Sequence, residues 1–252
     1  MEVLRRDFLP LDLEPLLREN TIAGCVAVQA DQSENETYFL LDLAGKYDFI
    51  KGVVGWVDLC AKNIEERLAY FSLFKKLKGF RHIIQGEPEK DFILRLDFCK
   101  GISRLRKFGF TYDILVFPEH LPYVPKFVNQ FPDQLFVIDH MAKPFIRKGE
   151  IDEWKKHLKV VSAFQNVYCK LSGLVTEGDL TSWKPADFRP YIDAAIESFG
   201  IDRVMFGSDW PVCLQAASYK QSCLVLEQNT LHLSKAEKEK LWGLNAKKFY
   251  GL

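Results

Sequence analysis

Arg203-Val-Met-Phe-Gly-Ser-Asp-Trp-Pro-Val212 combines a short apolar segment with an acidic residue just after it. The pattern predicts a strand over 204–206, buried on both faces and ended by Gly207 and Ser208. A carboxylate such as Asp209 at the end of a buried strand is costly to desolvate unless it has a partner or a chemical role. Two interpretations are open from this segment alone: Asp209 caps a turn, or it belongs to an active site.

The same kind of apolar segment recurs along the chain, and each one is followed by a segment with helical periodicity. Strands are predicted at 23–30, 50–59, 80–85, 112–117, 135–140, 167–171 and 204–206. In the helices between them, Ser33 and Glu36 are predicted to cap one helix reciprocally, and Gly79 is predicted to end the helix that begins near Asn63. Apolar strands alternating with amphipathic helices imply a parallel sheet covered by helices. The predicted fold is α/β, a TIM (β/α)8-type barrel that lacks its first strand, because seven strands are found where a closed barrel has eight.

Length and composition favour one domain over 1–252, since the chain has 252 residues and a single barrel has about 250. The 34 Lys plus Arg balance 34 Asp plus Glu, so no net charge attracts the chain to nucleic acid or to a membrane surface. No apolar run approaches the ~20 residues of a membrane span. Six cysteines without a C-x-x-C pair, and a beginning that does not resemble a secretory leader, predict a reducing, cytoplasmic location.

Three polar residues, His140, Lys170 and Asp209, fall at or near the ends of three successive predicted strands. In a parallel barrel the carboxyl ends of the strands form the active-site face. An imidazole there can bind a metal or shuttle a proton. A lysine inside a buried strand implies either an interior ion pair or an anionic substrate, and both alternatives are open for Lys170. The convergence of the three residues predicts a functional site.

An earlier strand end adds Arg81 and Gln85, which alternation places on the same face of the predicted strand 80–85. Arg81 is suited either to bind a carboxylate or carbonyl through paired hydrogen bonds or to form a structural ion pair. His82, on the other face, is predicted to be a packing histidine. The remaining histidines are predicted to be surface residues: His120, His157 and His232.

Four segments, GFRHIIQGEPE (79–89), FVIDHMAKP (136–144), VYCKLSGLVTE (167–177) and RVMFGSDWPVCLQAASY (203–219), together resemble a known family. This is the amidohydrolase-related family of the metal-dependent hydrolase superfamily, and the similarity runs from about Arg5 to the end of the chain. The resemblance is greatest to its sugar-lactone hydrolases, the L-fuconolactonases and L-rhamnono-lactonases. The 2-pyrone-4,6-dicarboxylate lactonases are more distant.

The resemblance implies a role for each of these residues. Asp209 would activate the hydrolytic water, and His140 would polarise the lactone carbonyl or help to hold the water. Either one divalent ion such as zinc binds to His140 and Asp209, or the site needs no metal. The substrate-binding residues implied are Arg81, Gln85, Lys170 and Trp210.

One departure from the family is a missing motif: its first strand carries a His-x-His pair, and none occurs in these 252 residues. We therefore expect Met1 to be an internal methionine, with the first strand upstream and the domain N-terminally incomplete. The expected reaction is the opening of an L-fucono- or L-rhamnono-lactone in sugar-acid catabolism, so the expected partner is a small-molecule lactone. The alternatives are a related decarboxylase or amide hydrolase, or an inactive homologue that lacks the His-x-His. No oligomeric state is predicted.

Overall fold

A computed structural model describes residues 2–252, and these residues form one parallel sheet. The expectation about Met1 lies outside the described residues. The seven strands are β1 (Cys25–Val28), β2 (Ile50–Gly55), β3 (Leu77–His82), β4 (Thr111–Ile114), β5 (Phe136–Ile138), β6 (Val167–Leu171) and β7 (Val204–Phe206).

Helices connect the strands, and several begin with a capping residue, as at Ser218 and Ser234. They are α1 (Pro10–Glu19), α2 (Glu34–Lys46), α3 (Ile64–Phe71), α4 (Leu96–Leu105), α5 (Val124–Val128), α6 (Asp152–Ser162), α7 (Leu174–Glu177), α8 (Pro185–Phe199), α9 (Tyr219–Asn229), α10 (Lys235–Glu239) and α11 (Asn245–Tyr250). A π-helical turn, Lys240–Leu244, joins the last two. Within residues 2–252, none of the helices has both the length and the apolarity needed to cross a membrane.

Neighbouring strands pair in chain order from β1 to β7, and every pair is parallel. Alternate residues of one strand belong to different apolar clusters: Phe136 packs under the helices, whereas Val137 packs on the opposite face. On that opposite face, Phe249 and Tyr250 of α11 belong to the same apolar cluster as Val137. The sheet is a curled (β/α) barrel lacking one strand, with β1 and β7 at its two edges, and the predicted fold class is confirmed.

Several predicted boundaries are wrong, and the differences matter at the site. Strand β3 covers Leu77–His82 rather than 80–85, and β5 ends at Ile138 rather than at residue 140. Strand β2 ends at Gly55, before the predicted residue 59. The errors at β2 and β3 share a cause: apolar residues continue past the end of the strand into the turn, so periodicity alone does not show where pairing stops. After β5 the polar residues Asp139 and His140 already belong to a turn.

Two predicted helix ends are also corrected. Helix α3 ends at Phe71, so Gly79 does not end it; Gly79 lies inside β3, where an added Cβ would lie 2.7 Å from the Thr111 carbonyl oxygen. The reciprocal cap at α2 is half formed. The Ser33 hydroxyl accepts from the Glu36 N–H at 3.2 Å, but the Glu36 carboxylate accepts from the Ala30 N–H instead.

Candidate active site

The structure brings His140 and Asp209 together, 69 positions apart in the chain. His140 Nε2 lies 3.7 Å from Asp209 Oδ1, and both side chains are mostly buried. Because β5 and β7 both neighbour β6, the residues that follow them reach the same end of the sheet. A separation of 3.7 Å is too long for a direct hydrogen bond, but one oxygen atom between the two groups can contact both. This pair is the centre of the candidate site.

An unusual backbone turn positions His140. Four consecutive residues, His140 to Lys143, have φ between 51° and 58°, and Asp209 has φ 54°. The left-handed region costs a residue with a side chain about 1–2 kcal/mol, and such strain clusters at functional sites. Met141 and Ala142 are fully buried, and the Trp154 indole N–H donates to the Met141 carbonyl at 2.7 Å. Packing and this hydrogen bond therefore maintain the turn.

The imidazole of His140 is held on its other side by the residues that follow β6. Nδ1 lies 2.8 Å from Ser172 Oγ, and a Cβ added to Gly173 would lie 2.9 Å from Nδ1. Burial lowers the pKa of His140, and the nearby Asp209 and Asp139 carboxylates only partly oppose that effect. His140 is therefore a neutral imidazole at neutral pH, with one nitrogen that donates and one that accepts.

Gly173→Ala is expected to remove most of the activity of the site. The added methyl group overlaps the imidazole, and alanine is also strained at φ 64°. We expect at least a tenfold lower kcat, because misplacing a reacting group by about 1 Å costs on the order of 100-fold. Gly109→Ala is the matched control, since Gly109 has φ 75° with no neighbour within 4 Å. Equal losses in both variants would show that strain, and not the imidazole contact, is responsible.

Lys170 lies between two buried carboxylates on the inner face of the sheet. Its Nζ is 2.5 Å from Asp113 Oδ2 and 2.7 Å from Asp139 Oδ1. The Tyr250 hydroxyl of α11 also donates to Asp113 Oδ2, at 2.8 Å. Arg81 Nη1 donates to Asp139 Oδ2 at 2.8 Å. Two cations and two carboxylates thus form a neutral network, which we call the charge cluster (Arg81, Asp113, Asp139 and Lys170).

Burial and pairing act in opposite directions within the charge cluster. Burial by itself raises the pKa of Asp139, but Lys170 and then Arg81 outweigh it and hold the pKa below its usual value. Burial raises the pKa of Asp113, and Lys170 only partly offsets this. Burial lowers the pKa of Lys170, but the two carboxylates outweigh it, so the pKa is raised and the ammonium stays charged. The ion-pair alternatives for Arg81 and Lys170 are confirmed, and their contacts with substrate stay predictions.

The other two predicted substrate-binding residues lie at different places. Gln85 does not share a strand face with Arg81, because β3 ends at His82 and Gln85 lies in the 3-10 turn Ile84–Gly86. Its buried Oε1 has no hydrogen-bond partner among residues 2–252. Trp210 is half-buried and contacts the ring of Phe8 edge-on, with 5.4 Å between centroids. Both assignments stay predictions.

The histidine predictions have mixed outcomes. His82 is confirmed as a packing histidine: Nδ1 accepts from the Trp56 indole at 3.2 Å, and the ring stacks on Phe92. His120 is not a surface residue, since it is only 3% exposed. Its Nδ1 accepts from the Phe117 N–H at 3.2 Å and so caps the start of the 3-10 helix Pro118–Tyr123, in which His120 itself lies, a role that apolar spacing cannot show.

Three residues of this region were not predicted from the sequence: Asp113, Ser172 and Glu177. Asp113 had a sequence signal, because it is a charged residue inside the apolar segment 112–117. Lys170 gave the same kind of signal inside its own strand. Glu177 is partly buried near Lys143 and Asp209; burial raises the pKa of its carboxyl group, and Asp209 adds to that effect. Ser172 had no sequence signal beyond its place directly after β6.

The described residues supply two of the ligands that a zinc site requires, His140 and Asp209. Ligands at about 2.0–2.2 Å from a tetrahedral ion lie roughly 3.4 Å from one another, so His140 and Asp209 have suitable spacing for two of them. A zinc site needs at least three protein ligands. Within residues 2–252, no group of three His, Cys, Asp or Glu side chains has the geometry of a metal site. These residues alone do not fit the ion, and no catalytic step below depends on it.

Comparison with known proteins identifies the family. The amidohydrolase family model matches residues 2–252. The chain belongs to the amidohydrolase family. An L-fucono-1,5-lactonase of Burkholderia multivorans is 41% identical over 263 residues, which cover all of this chain and 88% of that protein. An L-fucono-1,5-lactonase of Burkholderia ambifaria is 35% identical, over 87% of this chain and 75% of the relative.

A solved structure supports the same assignment. An amidohydrolase from Burkholderia multivorans, crystallised with bound zinc, superposes with a TM-score of 0.97 at 40% identity. The match covers all of this chain and 91% of that one. The resemblance to the amidohydrolase-related family is thereby confirmed, and this amidohydrolase is a hydrolase.

Proposed function

We propose that this amidohydrolase hydrolyses a sugar-acid lactone of the L-fucono- or L-rhamnono-lactone type. The observation that carries the proposal is the His140–Asp209 pair, 3.7 Å apart where β5 and β7 end. A carboxylate and a neutral imidazole are the base and the hydrogen-bond donor that ester hydrolysis requires. The substrate class is supported by the names of the two Burkholderia relatives.

In the proposed mechanism, Asp209 accepts a proton from water as the water oxygen bonds to the lactone carbonyl carbon. His140 Nε2–H donates a hydrogen bond to the carbonyl oxygen as that atom gains negative charge. The tetrahedral intermediate collapses when the bond between the carbonyl carbon and the ring oxygen breaks. Protonated Asp209 then returns the proton to the departing ring oxygen, so that the product is an open-chain hydroxy acid.

Substrate contacts are proposed for four further residues. Gln85 Oε1 is suited to accept from a sugar hydroxyl, because it is a buried acceptor that no residue of 2–252 satisfies. Arg81 and Lys170 each keep 11% of the side chain exposed, which a lactone oxygen could contact without breaking the charge cluster. Trp210 offers a partly buried apolar surface to the sugar ring.

The proposal is tested by a panel of aldonolactones, with release of acid followed at fixed pH and with and without a chelator. We expect an L-fucono- or L-rhamnono-lactone to be opened much faster with protein than in buffer. The chelator arm tests separately the predicted divalent ion. If no aldonolactone is opened faster than in buffer, the proposal fails. Turnover of carboxymuconate-type acids instead would favour the decarboxylase alternative, and no turnover at all would favour the inactive homologue.

A further inference from the structure

We infer that Ser172 is a positioning residue: its hydroxyl donates to His140 Nδ1 and thereby keeps the imidazole proton on Nε2, the nitrogen that faces Asp209. Ser172 acts through His140 and not on the substrate. The inference concerns the ring of His140 and rests on the proposed function only for its kinetic consequence.

Close packing holds Ser172 at the end of β6. The side chain is only 4% exposed, and its Oγ lies 2.8 Å from His140 Nδ1. Gly207, just after β7, is so close that an added Cβ would lie 2.8 Å from Ser172 Cβ. Gly173 lies as close to the imidazole itself. The two glycines allow this contact, and the tight packing leaves the hydroxyl little freedom to turn away.

The direction of the hydrogen bond follows from the surroundings of the ring. A neutral imidazole carries its proton on one nitrogen, and the other nitrogen accepts. The Asp209 carboxylate lies 3.7 Å from Nε2 and is an acceptor, so the proton is favoured there. Nδ1 is then the accepting nitrogen, and it needs a hydrogen-bond donor. Ser172 supplies that donor, and Nε2–H is left free to donate to the carbonyl oxygen of a lactone.

The set Ser172, His140 and Asp209 has the residue types of a nucleophilic triad, but the burial of Ser172, which is 4% exposed, argues against that role. The cavity beside Ser172 is about 10 Å³, which is room for about one water molecule and not for a sugar ring. Its walls include Leu174, Val175 and Leu226. That cavity has no room for an acyl group on the serine oxygen, so we assign Ser172 to orientation and not to attack.

The test compares Ser172→Ala with Ser162→Ala by imidazole ¹⁵N NMR. Ser162 is a matched control because it is also a buried serine, but it lies at the end of α6, before β6 begins, whereas Ser172 follows β6. Its hydroxyl donates to the Lys159 carbonyl at 2.8 Å and not to a histidine. The chain has 5 histidines, and His140→Gln identifies the signals of His140. We expect the Nε2–H form in the wild type and in Ser162→Ala, and a mixture of both tautomers in Ser172→Ala. We also expect kcat for lactone opening to fall about 10- to 100-fold in Ser172→Ala, and KM to change little. A loss of that size is typical when the hydrogen-bond partner that orients a functional histidine is removed.

The outcomes separate the inference from the proposed function. An unchanged tautomer in Ser172→Ala would overturn the inference, and so would an acyl adduct on Ser172 found by mass spectrometry of the wild type with lactone. A tautomer change without lactone turnover in the wild type would support the inference and contradict only the proposed function. Equal changes in Ser162→Ala would overturn the inference, because they would show a general loss of packing.

Discussion

Asp209→Asn is expected to lower kcat/KM for lactone opening by about 10²- to 10⁴-fold, the range that a general base contributes. Asparagine has nearly the same shape as aspartate and tolerates the left-handed backbone found at φ 54°. It cannot accept a proton from water at neutral pH. The substitution therefore removes the base and leaves the turn in place. Initial rates on L-fucono-1,5-lactone, measured below and above KM, check the prediction.

The control for Asp209→Asn is its stability. Its thermal unfolding midpoint should stay within a few degrees of the wild type, because the side chain is partly exposed and no protein hydrogen bond depends on its charge in residues 2–252. A loss of activity together with a large fall in the midpoint would be explained by unfolding. Unchanged activity in a folded variant would refute the role of Asp209.

Lys170→Met is expected to lower the free energy of unfolding by about 3–5 kcal/mol, as is typical when one partner of a buried ion pair is removed. Methionine keeps the length of the side chain, but the Asp113 carboxylate is left with the Tyr250 hydroxyl alone. Both carboxylates are fully buried, so the uncompensated charge cannot be hydrated. Urea unfolding of the wild type and of Lys170→Met at pH 7 measures the difference in free energy of unfolding.

The difference in free energy of unfolding between the wild type and Lys170→Met should become smaller as the pH falls from 8 towards 5. Burial already raises the pKa of Asp113, and loss of Lys170 raises it further. A carboxyl group with a raised folded-state pKa binds more protons when folded than when unfolded, so stability increases as pH falls. The double variant Lys170→Met with Asp113→Asn removes one charge of each sign and should recover much of the loss. A deficit independent of pH, or no recovery in the double variant, would assign the loss to packing instead.

The sequence predicted the strands most accurately where turn residues follow the apolar segment directly. The bounds of β6 and β7 were predicted correctly, and Gly173 and Gly207 follow closely after them. The end of β5 was not predicted. His140 to Lys143 turn in the left-handed region without a glycine. A local hydrogen bond from the Lys143 N–H to the His140 carbonyl and tertiary contacts such as the Trp154–Met141 bond maintain that turn.

The candidate site was predictable residue by residue and not as a network. His140 and Asp209 were singled out because strand ends of a barrel meet at one face, and they lie together. The partner of Lys170 was not foreseen, since Asp113 is 57 positions away and the pairing depends on the register of β4, β5 and β6. Ser172 carries no charge and no spacing signal, so only the position of its hydroxyl beside Nδ1 shows its relation to His140.

The central claim is that His140 and Asp209 act on the same lactone, and a double-mutant cycle tests it most directly. The kcat/KM for L-fucono-1,5-lactone is measured for the wild type, Asp209→Asn, His140→Gln and the double variant. Groups that act together on one reacting centre are strongly non-additive. We predict that the double variant loses little more than the worse single variant. The account would be contradicted if the fold-loss of kcat/KM in the double variant equalled the product of the two single losses. It would also be contradicted if either single variant kept full activity.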